Sequence, residues 1–309
     1  MPVDWAVVAT ETPRRMHADE LAIDADLVRT LLAEQLPELA ALPLQAVAPP
    51  GTVHAMFRLG DDLAVRLPRR AAWAGDLDRE RVWLSKLRDR VSVQVPEPVA
   101  HGRPTERFPL PWAVYRWLTG DPYHDDLVAD EEAVAEDVAR FISELRRGPT
   151  VDAPATGRRP LSELDELTRS AVAEASDVLD VGTVTAAWDR ALTAPLFSGA
   201  KCWIHTDLLR PNLLVGGGRL VAVIDFGNVG VGDPAADVIP AWTVFGPAGR
   251  RRFRQVLDVD DGTWERARGY ALTQAALIVP YYRVTNPSFT ASALRTIHGV
   301  LDDVASSSF

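Results

Sequence analysis

The stretch "WIHTDLLRPNLLVGGGRLVAVIDFG", Trp203–Gly227, decides the fold of this chain, because polar residues recur inside an otherwise apolar run. "NLLV" and "RLVAVI" are typical of strands, and the "GGG" between them is typical of a tight turn. Asn212 stands at the start of the first strand and Asp225 follows the second. Since the paired ends of a hairpin lie about 5 Å apart, the pattern predicts that Asn212 and Asp225 are neighbours.

These polar residues indicate a site that binds phosphate groups through a metal ion. An amide oxygen and a carboxylate are hard ligands, suited to Mg²⁺ that also binds phosphate oxygens, whereas zinc would favour more His or Cys. Asp207 precedes Asn212 by five residues, within the turn that leads to the hairpin. A carboxylate beside a metal-bound phosphate can orient a hydroxyl and accept its proton. The residues together predict a kinase that acts on a hydroxyl group.

The compound motif also resembles a known family. HxDxxxxN at His205, Asp207 and Asn212, followed by "IDFG" at 224–227, is similar to the catalytic and metal-binding loops of the eukaryotic-type kinase fold. The next segment, "GVGDPAADV", makes the chain resemble the aminoglycoside phosphotransferase family in particular. The matching pattern covers about 35 residues, so it is far more specific than a single glycine motif.

The resemblance implies an α+β, bilobal, protein-kinase-like fold with a small antiparallel-sheet N-lobe and a larger, mainly helical C-lobe. It implies a nucleotide-binding lobe at 1–118 and a catalytic and substrate-binding lobe at 119–309. The implied cofactors are ATP or GTP with Mg²⁺. By the same resemblance Asp207 is the catalytic base, Asn212 and Asp225 hold the metal, and His205 structures the loop. A core histidine satisfied by hydrogen bonds is an equal alternative for His205.

In the first lobe the resemblance implies a nucleotide clamp. Gly51 and Thr52 correspond to the turn over the phosphates, although an ordinary hairpin explains a single glycine as well. Arg66 occupies the strand position where kinases carry lysine, and Glu80 is the helix carboxylate that would pair with it. A solvated salt bridge is the alternative for that pair.

The segment "AVYRWLTGD" resembles the kinase hinge. There the backbone groups of Arg116, Trp117 and Leu118 would meet the base of the nucleotide, although Trp117 also suits an ordinary core position. A cleft between two lobes is in general a place where a ligand binds.

Local patterns along the chain agree with this organisation. Apolar spacing predicts a helix after Asp24, strands within 44–67 and 111–118, and a helix near 74–90. Beyond the Gly and Pro break at Leu118–Pro122, helices are predicted near 131–147 and at about 161–193, 234–245, 264–280 and 290–304. Asp233 before Pro234 fits a helix cap.

Three departures from the family pattern stand out. Arg66 replaces the lysine, Val53 and His54 stand in the phosphate turn where relatives often have Asp and Asn, and Thr206 replaces a glycine. None of them removes the base or a metal ligand. They nevertheless leave open a rival interpretation, a catalytically silent nucleotide-binding protein on the same fold. A metal-dependent hydrolase built on His205 and Asp207 lacks the further ligands it would need.

Composition limits the partners. The chain has 309 residues and a net charge of -10, which disfavours nucleic acid. One cysteine, no secretion signal and no long apolar run predict a cytoplasmic protein without a membrane partner. The sequence gives no guide to oligomeric state.

The acceptor is predicted to be an aminoglycoside-like or aminosugar hydroxyl, with a macrolide or another metabolite as the alternative. Gly120–Asp137 contains eight acidic residues and no lysine or arginine, a field that suits a cationic small molecule. Acidic residues at the start of a helix also stabilise its dipole, and this simpler explanation carries more weight.

Overall fold

The computed structural model describes residues 20–47, 53–156 and 158–307, and the chain divides into two compact units. The first unit holds the residues up to Asp78 together with Glu97–Trp117. The second holds Arg79–Pro96 and the residues from Leu118 onward.

The chain passes from the first unit to the second twice, at 78/79 and at 117/118. The predicted boundary at 118/119 lies one residue from the second of these points, and the prediction did not place 79–96 in the second unit. This segment belongs there because Leu84 and Leu87 are buried in the core of that unit. Gln94 also forms a parallel bridge with Ala222 of the second unit. The division therefore falls inside a helix, Ala74–Leu87, and not at a loop.

The first unit is built on an antiparallel sheet, as its strand-rich sequence predicts. The five strands have the order β1-β2-β3-β5-β4, and they are β1 (Leu44–Ala46), β2 (His54–Leu59), β3 (Leu63–Pro68), β4 (Pro98–Gly102) and β5 (Trp112–Arg116). β3 is buried along almost its whole length because β2 and β5 pair with it on both edges. Arg66 therefore lies in the centre of the sheet.

Helix α1 (Ala25–Gln35) covers one face of this sheet. Asp24 caps it by accepting a hydrogen bond from the backbone N–H of Leu27 at 2.8 Å, an interaction that typically contributes about 1 kcal/mol. Its apolar stripe is buried with the sheet residues in one cluster. The helix predicted after Asp24 from its apolar spacing is confirmed.

The second unit is mainly helical. Its helices are α2 (Ala74–Leu87, from Arg79 onward), α3 (Glu131–Arg146), α4 (Asp165–Glu174), α5 (Val181–Leu192), α6 (Pro240–Thr243), α7 (Pro247–Leu257), α8 (Asp261–Tyr282) and α9 (Pro287–Ser306). Their apolar faces share one large core. The structure thus confirms the α+β class, with an antiparallel sheet first and a helical region after it.

Two helix predictions were wrong in detail. The segment 161–193 contains two helices, because the chain turns at 175–180 before Asp180 caps α5. The segment 234–245 is one short 3-10 turn, Pro234–Asp237, followed by α6. Proline at 240 begins the second piece, since it cannot donate the backbone hydrogen bond that a continuous helix would need.

Two small sheets interrupt the helices of the second unit. One has the order β6-β8-β9 and consists of β6 (Asp121–Pro122), β8 (Leu213–Gly216) and β9 (Arg219–Val223). The other pairs β7 (Cys202–Ile204) with β10 (Gly230–Gly232). Together they hold the segment 203–227 against the core. No helix within the described residues is long and apolar enough to cross a membrane.

Candidate active site

The loop from His205 to Asp207 is anchored through its backbone by a single buried carboxylate. Asp237, which is fully buried, accepts hydrogen bonds from the backbone N–H groups of His205 and Thr206, both at 2.7 Å. Burial raises the pKa of Asp237, while these two donors and the nearby His205 act in the opposite direction. The short turn that carries Asp237 therefore fixes the position of the loop.

His205 connects this loop to the end of the hairpin. Its Nδ1 accepts from the backbone N–H of Asp207 at 3.3 Å, so its Nε2 is the nitrogen that donates to the carbonyl of Ile224 at 3.0 Å. The ring also meets the edge of Phe226, at 4.5 Å between ring centroids. These contacts hold the imidazole inside the core, where it links the loop to the end of the hairpin.

Asp207 projects its carboxylate between two amide side chains. Oδ2 accepts from Nδ2 of Asn212 at 2.9 Å, and Oδ1 accepts from Nε2 of Gln274 at 3.0 Å. Burial and the negative charge of Asp225 raise the pKa of Asp207. Two donors on a half-buried carboxylate fix its orientation, which a general base requires.

Gln274 is itself oriented by Arg158, a residue that sequence reasoning missed. Arg158 donates to the Gln274 Oε1 at 3.2 Å and also to the backbone carbonyl of Thr206. Its guanidinium lies 5.7 Å from the centroid of the Tyr270 ring. Arg158, Gln274 and Asp237 lie 30 to 67 residues from Asp207 in sequence, so no local motif identifies Arg158 or Gln274. The "DPAAD" segment was the available signal for Asp237.

Asn212 lies immediately before β8 and Asp225 lies just after β9, at the open end of the hairpin, as the sequence predicts. Leu213 pairs with Val223, and the backbone N–H of Ile224 donates to the carbonyl of Asn212 at 3.0 Å. The Asn212 Nδ2 also donates to the backbone carbonyl of Asp207 at 2.8 Å. With its nitrogen engaged in this way, the amide has its oxygen as the atom that can face a cation.

The donor set at these strand ends fits Mg²⁺. Within the described parts of the chain, no group of three or more His, Cys, Asp or Glu side chains is arranged to hold a metal. Mg²⁺ is commonly held by one or two protein oxygens while phosphate and water complete its coordination. Asn212 and Asp225 are a pair of that kind.

Backbone conformation explains why the family pattern has glycine where this chain has Thr206. Thr206 has a φ of 78° and Asp225 a φ of 67°, both in the left-handed region. Such a conformation is uncommon for a β-branched residue and costs on the order of 1–3 kcal/mol. At Thr206 the contacts with Asp237 and Arg158 hold the backbone there. The strain thus lies next to Asp207.

Glu80 supports the other strained residue. Its side chain is fully buried, and its Oε1 accepts from the backbone N–H of Phe226 at 2.9 Å. This contact lies within the second unit and fixes the residue that follows Asp225. The pairing of Glu80 with Arg66 stays a prediction.

In the first unit Arg66 lies beside a buried histidine. Arg66 Nη2 and His54 Nδ1 are 3.1 Å apart, so the guanidinium donates to a neutral ring. Burial lowers the pKa of His54 well below its usual range, and the charges of Arg66 and Arg69 lower it further. Arg66 is also 5.9 Å from the centroid of the Tyr115 ring. The predicted phosphate turn, Gly51 and Thr52, lies outside the described residues.

The predicted hinge is partly engaged in the sheet of the first unit. The backbone N–H of Arg116 donates to the carbonyl of Glu97 at 2.9 Å, and that of Trp117 donates to the carbonyl of Asp62 at 2.7 Å. The carbonyl oxygens of these two residues could therefore accept hydrogen bonds from a nucleotide base. Their N–H groups, which the sequence also predicts to contact the base, already donate to carbonyl groups of the first unit. Leu118 begins the next segment of the second unit.

The acidic segment 120–137 is largely used to support the fold. Asp130 caps α3, and Glu131 accepts from the backbone N–H groups of Gly246 and Gly249 at the start of α7. Further along α3, Glu136 pairs with Arg252 and Asp137 pairs with Arg219. These contacts favour the structural explanation of the acidic residues over a field that attracts cations.

A cavity of about 340 Å³ lies in the second unit. Gln274, which donates to Asp207, forms part of its wall, as does Leu209 two residues after Asp207. Its volume is in the range of small-molecule sites.

Comparison with known proteins identifies relatives of this arrangement. The model of the phosphotransferase enzyme family (APH) matches residues 45–270. YcbJ, an uncharacterised protein of Bacillus subtilis (strain 168), is 24% identical over 229 residues, which cover 68% of this chain and 72% of that protein.

Solved structures share the fold. A GDP complex of a mutant aminoglycoside 2′-phosphotransferase-IIIa matches with a TM-score of 0.74 and 20% identity, covering 93% of this chain and 100% of that one. The apoenzyme of the macrolide 2′-phosphotransferase MphH from Brachybacterium faecium matches with a TM-score of 0.59 and 20% identity, covering 89% of this chain and 97% of that one.

Proposed function

Since the chain belongs to the phosphotransferase enzyme family, and is therefore a small-molecule kinase with an alcohol group as acceptor, we propose that it transfers the terminal phosphoryl group of ATP or GTP. The observation that carries this proposal is the carboxylate of Asp207, which Gln274 and Asn212 orient, with Gln274 also lining a cavity. The names of related structures support a nucleotide and a small hydroxylated acceptor.

In the proposed reaction the acceptor hydroxyl donates a hydrogen bond to Asp207. The hydroxyl oxygen forms a bond with the terminal phosphorus, the bond between that phosphorus and the bridging oxygen breaks, and ADP or GDP leaves. Asp207 accepts the hydroxyl proton during the transfer and later releases it to water. The raised pKa of Asp207 makes the carboxylate a better proton acceptor than an exposed aspartate.

The remaining residues of the site hold the reactants. Asn212 and Asp225 would bind Mg²⁺, which neutralises charge on the phosphate oxygens. Asp237 and His205 hold the loop from its core side. Arg66 with Gly51 and Thr52, all from the first unit, would bind the phosphates. Glu80 of the second unit would position Arg66. The carbonyl oxygens of Arg116 and Trp117, together with Leu118, would meet the nucleotide base.

The proposed acceptor is a hydroxyl of an aminoglycoside-like molecule, an aminosugar, a macrolide or another metabolite. Similar solved structures include an aminoglycoside phosphotransferase and a macrolide phosphotransferase, so an aminoglycoside and a macrolide are the first compounds to test.

The proposal is tested by incubating the protein with Mg²⁺ and ATP or GTP against a broad panel of hydroxylated compounds. Mass spectrometry detects phosphorylated acceptor, and a coupled assay measures release of ADP or GDP. We expect Asp207→Asn to lower kcat by at least about 100-fold, within the usual range for a general base, with nucleotide affinity retained.

Asp302→Asn is the matched control, since Asp302 is exposed on α9 and outside the cavity. If product forms equally well with Asp207→Asn, Asp207 is not the base. If the wild-type protein binds nucleotide but phosphorylates nothing in the panel, the catalytically silent alternative is favoured.

A further inference from the structure

The cavity beside Asp207 carries a charge pattern of its own. Two arginines, Arg210 and Arg295, line it, whereas Asp125 is its one carboxylate among the described residues. His124 also lines the cavity, and its ring lies 3.3 Å from the carboxylate of Asp126, which does not line it. Counting its arginine and aspartate side chains alone, the wall carries one net positive charge.

The single carboxylate is already paired. Asp125 binds the guanidinium of Arg210 at 2.9 Å, and Arg210 also donates to the carbonyl of Val244 at 2.7 Å. The Arg210 guanidinium lies 5.0 Å from the centroid of the Tyr123 ring. Charge and hydrogen bonding from Arg210 lower the pKa of Asp125. An ammonium group entering the cavity would have to compete with Arg210 for this carboxylate.

The second arginine, Arg295, forms no ion pair within the described residues. Arg295 on α9 donates to the hydroxyl of Ser292 at 3.3 Å, and no ion pair joins it to an acidic side chain in the part of the chain that the structure describes. Burial and the charge of Arg210 lower the pKa of Arg295, and Asp125 opposes this effect only in part. Arg295 is therefore a cation at the cavity wall without a counterion of its own.

The rest of the wall is mostly apolar. Tyr123, Leu209, Ile278 and Phe289 line the cavity together with Gln274. Tyr123 is buried, and Phe289 packs against Tyr282 with 5.2 Å between ring centroids. Such a surface accommodates an aromatic or aliphatic group of a ligand. Removing that group from water stabilises the complex. A polyamine sugar offers little apolar surface to this wall.

We propose that the acceptor is a hydroxylated organic acid with an apolar body, and that Arg295 binds its carboxylate and determines specificity for it. This inference rests on the proposed kinase function, because it assigns the cavity to the acceptor of that reaction. The carboxylate pairs with Arg295, the apolar body contacts Tyr123, Ile278 and Phe289, and the hydroxyl reaches Asp207 on the side of Gln274. A polycationic aminoglycoside is disfavoured, since its ammonium groups would meet the net positive charge of this wall.

The test uses three compounds that share a phenyl ring and a benzylic hydroxyl but differ in charge. They are mandelate (anionic), 1-phenyl-1,2-ethanediol (neutral) and 2-amino-1-phenylethanol (cationic). Affinity for each is measured by ligand-observed NMR with ADP or GDP and Mg²⁺ present. Phosphorylation of the same three, and of longer hydroxy acids and amino alcohols, is measured by mass spectrometry.

We expect mandelate to bind at least about tenfold more tightly than 2-amino-1-phenylethanol. Arg295→Glu converts the wall from one net positive to one net negative charge, so it should reverse this order. Arg251→Glu makes the same charge change at an exposed position on α7 outside the cavity, and it should leave the order unchanged.

The two proposals fail in different ways. If the amine binds as well as the acid, or if Arg295→Glu leaves the ratio as it was, the assignment of an acidic acceptor is overturned even when phosphorylation is seen. If acids bind through Arg295 but no compound is ever phosphorylated, the binding site stands and the kinase function fails.

Discussion

A buried carboxylate that accepts two consecutive backbone N–H groups can fix a loop more firmly than any side chain within that loop. Asp237 does this for His205 and Thr206. These two hydrogen bonds offset the free-energy cost of the left-handed backbone at Thr206, because both donors would otherwise be buried without a partner. The loop at 205–207 thus depends on a residue 30 positions beyond Asp207.

Asp237→Asn should show this dependence. The amide retains one accepting oxygen, but its nitrogen faces a second N–H donor, so one hydrogen bond is replaced by a repulsive contact. We expect the free energy of unfolding to fall by about 2–3 kcal/mol and kcat to fall by more than tenfold. Urea denaturation and steady-state kinetics measure the two effects, with Asp302→Asn as the control. Unchanged stability would show that Asp237 does not hold the loop.

His54 predicts a pH dependence of stability in the first unit. Its pKa is lowered well below the usual range in the folded protein, so the ring is neutral there. In the unfolded chain it titrates near 6.5. Below about pH 6.5 the unfolded state therefore binds one more proton, and the free energy of unfolding falls as the pH falls, by up to about 1.4 kcal/mol per pH unit.

Urea denaturation of wild type and His54→Gln between pH 5 and pH 8 tests this prediction. Glutamine cannot titrate, so the variant should lose less stability than wild type as the pH falls below 6.5. Other groups contribute equally to both proteins and cancel in the difference. A difference that stays constant with pH would contradict a neutral buried His54.

At the scale of elements, the hairpin β8–β9 was predictable because its information is local. Gly216 pairs with Arg219, so Gly217 and Gly218 form a two-residue loop, with φ values of 58° and 76°. Both residues have positive φ, as a type I′ turn requires. The glycine run is thus a turn at the tip of the hairpin, opposite the ends that carry Asn212 and Asp225.

Gly217→Ala and Gly217→Asn separate a turn from a phosphate loop. A Cβ at Gly217 would meet no atom within 4 Å, so the cost comes from the backbone alone. We expect alanine to lower stability by about 1 kcal/mol and asparagine by less, because asparagine tolerates the left-handed region. The KM for nucleotide should stay the same in both variants. A large rise in that KM would indicate that the glycines contact the phosphates.

Elements that depend on distant contacts were less predictable. Helix α7 has the sequence "PAGRRRFRQVL". Its four arginines make the helical spacing of the buried Phe253 and Leu257 difficult to recognise in the sequence. It begins where it does because Glu131, more than 110 residues earlier, accepts from Gly246 and Gly249. No pattern inside the helix indicates that partner.

At the scale of the whole molecule, the same distinction separates what the sequence predicts from what it does not. Asp207, Asn212 and Asp225 were found because they lie within 19 residues and share one turn and one hairpin. Gln274 and Arg158, which orient Asp207, come from other parts of the chain. The expectation of a cationic acceptor used the number of acidic residues in 120–137, whereas the structure shows that most of them are paired or capping.

The proposed metal pair has a consequence for the stability of the whole chain. A ligand that binds only the folded state stabilises it by about 2.7 kcal/mol when present at 100 times its Kd. If Asn212 and Asp225 hold Mg²⁺ against the phosphates, ATP or GTP should raise the Tm further with Mg²⁺ than with EDTA.

Asp225→Asn removes one anionic ligand, so it should abolish the Mg²⁺-dependent part of this rise and retain the part seen in EDTA. Scanning calorimetry measures both parts, and Asp89→Asn, at an exposed position, controls for the loss of a negative charge. Equal rises with Mg²⁺ and EDTA in the wild-type protein would exclude a metal bridge between these residues and the nucleotide.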